Sequence, residues 1–392
     1  MKAGIKLGDI CDILNGFAFK SEKYVCEGVR IIRIANVQKG YLEDSAPQYY
    51  PLETASEFKK YLLEEGDILM SLTGNVGRVA RLSANMLPAA LNQRVACLRL
   101  KDSAEISKDF LFQFLNSDYF ESHCILSSKG IAQKNMSTEW LKEYEIPLFT
   151  PKEQLVIASQ LSKIDILIAG RYQMLVKLDE LVKSRFVEMF GDPKCNPMHW
   201  EQQPLYKILE AGSSVSYGIV QTGDHVQDGV PVFRPSDIAD GKIPQRQQLK
   251  CTTAEISNQY SRTLLKGYEL LISVRGSVGE TFQVTDEFKD CNVGRNIVPL
   301  RFDTNMVLYP FMQSLFDQDG IKTILSAMTK GIALQGLNMS EFREVDIILP
   351  PISLQRDFVA FREQTDKSKL AVQQSLEKLE TLKKSLMQQY FG

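Results

Sequence analysis

Three histidines, seven cysteines and 48 carboxylates are the groups from which this 392-residue chain would have to build a catalytic or metal site. His123, His199 and His225 stand far apart, without the H-E-x-x-H interval or any other that sets ligands on one helix face, and read as surface or partly buried residues. Cys11, Cys26, Cys97, Cys124, Cys195, Cys251 and Cys291 are odd in number, scattered and never spaced C-x-x-C, which suits neither a disulfide framework nor zinc and fits a reducing compartment. There is no G-x-x-x-x-G-K-[ST] loop to cradle phosphates and no G-x-G-x-x-G between a strand and a helix, so nucleotide chemistry is unsupported. "NPMHW" at 196–200 lacks the second proline and the ring of an N-P-P-[YF] loop, and no cofactor-binding glycine loop accompanies it. Asp67 and Glu269 read as turn residues beside strands, and no nuclease-type D-x-n-[DE]-x-K arrangement is convincing. The chain reads as non-catalytic, with no cofactor and no metal.

What stands out instead is repetition. "KGIA" occupies Lys129–Ala132 and Lys330–Ala333, followed each time by "NMS". An offset of about 201 residues lays "IIRIANVQKGYL" on "VFRPSDIADGKI", "EEGDILMSLTGNVGRVA" on "LKGYELLISVRGSVGETF" with one insertion, and "ACLRL" on "VPLRF". The match resumes with "EYEIPLFTPKEQ" on "EVDIILPPISLQ" and ends with "KLDELVKSRFVEMFG" on "KLETLKKSLMQQYFG". One module of about 200 residues is written twice.

Each module has a front and a back. The front holds short β-branched runs, "VRIIRIANV", "GDILMSL" and "RVACLRL" in one copy and "VPVFRP", "ELLISV" and "NIVPLRF" in the other, punctuated by glycines. Helical patterns at 108–126 and 309–328 come late in each copy, so each front reads as an α+β globule. The back is a long helix. Thr150-Pro151-Lys152-Glu153 is a capping box with proline at the first helical position. Leu161, Ile168, Leu175, Val182 and Met189 recur every seven residues, backed by Ile164 and Leu178. In the second helix Phe358, Phe361, Val372, Leu379, Leu382 and Leu386 form a seam interrupted by Thr365, Ser368 and Ser375. The expected layout is a globule over 1–150, a helix over 151–192, a globule over 193–350 and a helix over 351–392. Chain order then predicts antiparallel helices, joined as a coiled coil with internal pseudo-two-fold symmetry.

No window approaches 18 consecutive apolar residues, and the N-terminus lacks the regions of a signal peptide, so a soluble, cytoplasmic chain is expected. The net charge of −2 does not describe a protein that coats polyanions indiscriminately.

The ordered set "KLGDICDILNGFAF", "GDILMSLTGNVGR", "LNQRVACLRL", "KGIAQKNMSTEWLKEYEIPL", "TPKEQ" and "FGDPKCNPMHWEQQPL" resembles the specificity subunits of type I restriction-modification systems over essentially the whole chain. The resemblance implies two target recognition domains, each reading one half of a split sequence in double-stranded DNA. It implies two helices that dock methyltransferase subunits, two in number, with restriction subunits joining that core to direct adenine methylation and cleavage. Half-sites on one face of B-DNA lie about one turn apart (roughly 34 Å) or more, within the reach of a spacer of roughly 60 Å. An adaptor whose heads bind only proteins is the alternative that repeat and rod also allow.

Bidentate Arg reads guanine, Asn and Gln read adenine, and Lys holds phosphates. By type and position the candidates are Arg33, Asn36, Arg78, Asn92, Gln93, Arg94, Lys129, Gln133, Lys134 and Asn135 in the first copy. In the second they are Arg234, Ser236, Arg275, Arg295, Asn296, Lys330, Gln335 and Asn338. Asn135 and Asn338 have helix capping as their competing reading. The two sets differ at matching places, which predicts an asymmetric target, and the acidic balance predicts that partner subunits supply phosphate contacts.

Overall fold

The computed structural model describes residues 4–128, 135–239, 244–330 and 336–392. They divide into two compact units, Met1–Tyr172 with Gln374–Gly392, and Gln173–Gln373.

In the first unit the strands are β1 (Gly4–Lys6), β2 (Cys11–Asn15), β3 (Val29–Ile32), β4 (Tyr49–Tyr50), β5 (Ile68–Ser71), β6 (Val79–Arg81), β7 (Ala89–Leu91), β8 (Val95–Leu100) and β9 (Glu145–Pro147). The main sheet has the order β2-β8-β5-β6, antiparallel throughout. A second sheet, β4-β3-β7, contains the parallel pair β3 and β7, and β1 pairs with β9. Strand β5 is buried along its whole length because both faces are covered. Its alternation sends Ile68 and Met70 into the core shared with the helices and Leu69 into a core shared with β3, β7 and β8.

The second unit repeats this with β10 (Gln202–Pro204), β11 (Val230–Phe233), β12 (Lys250–Thr252), β13 (Leu270–Ser273), β14 (Thr281–Gln283), β15 (Asn292–Val293), β16 (Ile297–Leu300), β17 (Thr329–Lys330), β18 (Gly336–Leu337) and β19 (Asp346–Ile348). Sheet β14-β13-β16 matches β6-β5-β8, with a single bridge between Leu209 and Phe302 where the first copy has β2, and sheet β12-β11-β15, with β11 parallel to β15, matches β4-β3-β7. Leu270 and Ile272 enter one core and Leu271 the other, as in β5. The α+β reading of both globules holds.

The helical stretch read over 108–126 is two helices, Lys108–Leu115 and Asp118–Ser127. Asn116 closes the first and Ser117 caps the second, its hydroxyl accepting from the Phe120 N–H. The stretch over 309–328 divides likewise into Tyr309–Phe316 and Asp319–Ala327.

The long helices are Pro151–Phe190 and Ile352–Phe391, 40 residues each. Thr150 and Glu153 form the capping box, with the Thr150 N–H donating to the carboxylate at 2.8 Å. Each helix contributes to both units. In the first unit residue numbers rise on one helix as they fall on the other: Gln160 meets Tyr390, Asp165 pairs with Lys383 at 2.6 Å, and Arg171 donates to Ser375 at 3.1 Å. In the second unit Asp179 pairs with Lys369, and Arg185 lies over the Phe361 ring. Both segments are therefore antiparallel. Thr365, expected to interrupt the seam, is buried within it, whereas Leu382 is exposed and Lys383 takes the inward position beside Asp165.

Each globular core is sealed by the helix written in the other copy. Phe391 and Met387 enter the first core, Phe391 meeting Phe110 and Phe114 with ring centroids 6.0 and 5.2 Å apart. Phe186 and Phe190 enter the second, against Phe311 and Phe358. The shared "FG" endings mark these plugs.

Candidate nucleic-acid interface

Beneath the interface lies a frame whose polar groups are spent inward. Arg99 grips Asp67 with two bonds of 2.9 and 2.6 Å and donates to the Leu62 carbonyl. The Asp67 carboxylate also accepts the Glu64 N–H. In the second copy Arg301 meets Glu269 at 2.8 Å and the Arg262 and Leu264 carbonyls, while Glu269 accepts the N–H groups of Lys266, Gly267 and Tyr268. These carboxylates are the turn residues that the sequence suggested.

On this frame sits an edge of three segments. In the first copy they are the hairpin loop 72–78, the turn 92–94 and residue 135. The Leu72 N–H donates to the Arg94 carbonyl, Thr73 bridges Asn135, and the Met136 N–H donates to the Leu72 carbonyl. Glycine is required in the loop, where Gly74 and Gly77 have φ of +72° and +83°. The second copy assembles 274–280, 294–296 and 336–337 in the same way: the Val274 N–H donates to the Asn296 carbonyl, Arg275 bridges Gly336, and the Leu337 N–H donates to the Val274 carbonyl.

The structure separates the candidate side chains by whether they are already occupied. Asn36 is buried, its Oδ1 accepting from the Arg33 N–H and its Nδ2 donating to the Glu43 carbonyl, so its amide builds its own loop. Arg33 donates to the Ala46 carbonyl. Arg234 is held bidentately by Asp237, with Ser236 exposed on the short helix Pro235–Ile238 between them. Asn338 caps the helix Met339–Arg343, accepting from the Ser340 N–H at 3.0 Å. Asn135 does not cap; Ser137 caps the helix Thr138–Glu143 instead. Arg78 is half-buried and donates to Gln38 Oε1 at 2.7 Å, while Gln38 Nε2 donates to the Ala35 carbonyl.

By contrast, the exposed side chains of Gln93, Arg94, Arg275 and Arg295 have no polar partner among the described residues. Asn92 is half-buried beside them, and Asn296 keeps its Oδ1 buried without a partner. The edges thus bring together Arg78, Asn92, Gln93, Arg94 and Asn135 in one copy and Arg275, Arg295 and Asn296 in the other. Arg33, Arg234 and Ser236 belong to neighbouring loops. Lys330 stands in β17, paired with Gly336. Lys129, Gln133, Lys134 and Gln335 lie outside the described residues. Sequence reasoning missed Gln38 and Gly336, which touch two of the arginines.

The histidines serve packing and turns. His123 Nδ1 lies 3.0 Å from the Tyr144 hydroxyl, and His225 Nδ1 accepts the Cys251 N–H. Among the described residues no helix is long and apolar enough to cross a membrane.

Each copy thus carries an edge on which exposed polar side chains, Gln93 and Arg94 in one and Arg275 and Arg295 in the other, have no polar partner among the described residues, and comparison with known proteins names the class of the chain. Residues 3–176 and 219–382 match the family described as the type I restriction modification DNA specificity domain, and the chain belongs to that family. It is a DNA sequence-specificity subunit with two such domains, a recognition component rather than a catalytic one. It is similar to the EcoBI specificity subunit of Escherichia coli, 24% identical over 416 residues, spanning 99% of this chain and 85% of that protein. It is also similar to the EcoAI specificity subunit of the same organism, 31% identical over 196 residues, covering 49% of this chain and 33% of that one. The fold resembles the crystal structure of a type I S subunit from M. genitalium, with TM-score 0.54, 17% identity, and coverage of 100% of this chain and 96% of that one. A chain from a study of complex assembly in a type I system gives TM-score 0.55 at 17% identity, with 99% and 97% covered.

Proposed function

We propose that residues 1–150 and 193–350 each read one half of a bipartite, asymmetric DNA target, and that the helices over 151–192 and 351–392 set the spacing between half-sites. The observation that carries this reading is the paired edge: one backbone frame in both copies, presenting Asn92, Gln93 and Arg94 in one and Arg295 and Asn296 in the other. Gln93, Arg94 and Arg295, exposed and without a polar partner among the described residues, suit base edges in the major groove. Arg78 and Asn135 flank the first edge, and Lys129, Gln133, Lys134, Lys330 and Gln335 stay as phosphate or base candidates from their sequence positions. Asn36, Arg234 and Asn338 take supporting places in the loops, where their polar groups are occupied, and Arg33 and Ser236 stand beside them.

The helices dock two methyltransferase subunits, with restriction subunits joining through the complex, in the cytoplasm. Support comes from apolar side chains left in solvent on the helices, Leu155, Ile166 and Leu167 in the first unit and Val176, Leu181 and Leu370 in the second.

The test is the methylated motif in DNA from cells co-expressing this chain with its methyltransferase. A split, asymmetric adenine motif is expected, with Arg94→Ala relaxing one half and Arg295→Ala the other. A continuous motif, or both variants acting on the same half, overturns the reading. Association that is indifferent to salt and sequence would favour the protein-only adaptor.

A further inference from the structure

One position near the start of the hairpin loop differs in kind between the two copies. It is Thr73 in the first and Arg275 in the second. The Arg275 backbone is fixed on every side: its carbonyl accepts from the Ser273 hydroxyl at 3.1 Å, it bridges Gly336, and the flanking Val274 carbonyl accepts the Leu337 N–H at 2.9 Å. The next residue, Gly276, has φ of +78°, and a Cβ there would meet nothing within 4 Å, so the loop opens to solvent beyond the arginine.

The side chain is directed as well. A Cβ on Gly336 would lie 2.7 Å from Arg275 Cγ and 2.9 Å from Nε, so the bare Gly336 backbone forms a shelf along which the arginine stem lies. Gly336 is not among the glycines with positive φ, so its lack of a side chain answers to the space that the arginine occupies. Ordering an arginine on a shelf removes rotamer entropy before any ligand arrives. The guanidinium beyond the shelf is exposed and has no hydrogen-bond or ionic partner among the described residues. The first copy has Asn135 where the shelf would be, bridged to Thr73.

We propose that Arg275 is the guanine-reading residue of the second domain and that Gly336 is its positioning residue, a pairing the first domain lacks. An exposed arginine without a polar partner among the described residues matches the two acceptors, O6 and N7, that guanine alone presents in the major groove. The short hydroxyl of Thr73 cannot make that fork, so the corresponding base of the first half-site is read differently. This rests on the two-reader assignment above.

The test uses the whole complex, with this chain and its methyltransferase co-expressed, and methylation read genome-wide. Arg275→Ala is expected to relax one guanine position of one half-site, with discrimination falling roughly 10- to 100-fold, and to leave the other half-site intact. Gly336→Ala relaxes the same position, because its methyl displaces the arginine stem, and adds nothing in the Arg275→Ala background. A merely structural Gly336 would lower total methylation or the melting temperature without changing the base preference. If Arg94→Ala and Arg295→Ala relax opposite halves while Arg275→Ala leaves every position unchanged, this inference falls and the two-reader assignment stands. If Arg275→Ala acts and Gly336→Ala does not, the shelf is refuted. Should Gly336→Ala fold poorly, Arg275→Lys decides for the arginine: it keeps the charge but loses the fork, and full retention of guanine preference overturns the proposal.

Discussion

Gln154 and Gln355 hold equivalent posts where each long helix begins, and removing one tests how the helices are fastened to the globules. Both are buried, at 1% and 0% exposure. Gln154 Oε1 accepts the Ser107 N–H at 2.8 Å, and its Nε2 donates to the carbonyls of Glu105 at 3.1 Å and Phe149 at 2.9 Å. Gln355 repeats the pattern with the Leu308 N–H and the carbonyls of Met306 and Pro350. Leucine in place of Gln154 preserves most of the volume and strands three backbone groups. Three such bonds at roughly 1 kcal/mol each, with a buried unpaired group costing about 1–3 kcal/mol, predict a loss of about 3–5 kcal/mol. The chain has two tryptophans, Trp140 in the first unit and Trp200 in the second. Denaturant unfolding followed by Trp140 fluorescence in a Trp200→Phe background isolates the first unit, and the converse background isolates the second. Gln154→Leu shifts the Trp140 transition and Gln355→Leu the Trp200 transition. Gln154→Glu adds a pH signature. Its carboxylate would face two carbonyls in a buried site, so its folded pKa lies above its unfolded value. That variant is least destabilised at acidic pH and loses stability as pH rises from the unfolded carboxyl range near 4 up through its higher folded pKa. A loss under about 1 kcal/mol for Gln154→Leu, or equal shifts of both tryptophan signals, would refute the fastening role.

Phe391→Ala, at the far end of the sequence, is expected to cost the first unit about 3 kcal/mol and to move the Trp140 transition, since its ring packs on Phe110 and Phe114; a shift confined to Trp200 would contradict the assignment of Gln374–Gly392 to that unit. Arg301→Met leaves the fully buried Glu269 carboxylate without its cation and should cost about 3–5 kcal/mol, whereas replacing both partners by apolar residues restores much of it in the same unfolding assay. Cysteine labelling at pH 7.5 should modify Cys26 and Cys195 rapidly and half-buried Cys251 slowly. Burial pushes the Cys11 and Cys124 thiols up to about 12 and Cys291 to about 11, and raises Cys97 as well, so these four should react only after unfolding. Rapid modification of any of the four in the native chain would contradict that burial.

The repeat, the strand runs and the helix starts were legible because each is written locally: a capping box within four residues, a seam every seven, a β-strand every second position. The fastening of Phe391 into the first core was not, since nothing within one helix says which globule its last turn meets. Neighbouring residues could have exposed the Arg234 and Asp237 pair, which lie three apart and form their ion pair within one turn. Asn36 shows the limit of reasoning by residue type. An asparagine that reads adenine and one that ties a loop have the same letters around them, and only the accounting of donors and acceptors separates them. Gly336 escaped because its partner is 61 residues away, and its role is to leave space rather than fill it.

The same accounting explains how a recognition protein keeps its fold while its target changes. Asp67 with Arg99 and Glu269 with Arg301, Gln154 and Gln355, Phe190 and Phe391 recur between the copies because each is surrounded by groups that would be stranded without it. Thr73 and Arg275, Arg78 and Glu280, and Asn92-Gln93-Arg94 and Gly294-Arg295-Asn296 occupy equal backbone positions and differ. The side chains of Gln93, Arg94, Arg275 and Arg295 are exposed and hold no polar partner among the described residues, so their substitution is expected to leave the packing intact while altering what the edge presents. Likeness between the copies marks what holds the domains together, and unlikeness on a shared frame marks where, on the reading proposed above, each would choose its sequence.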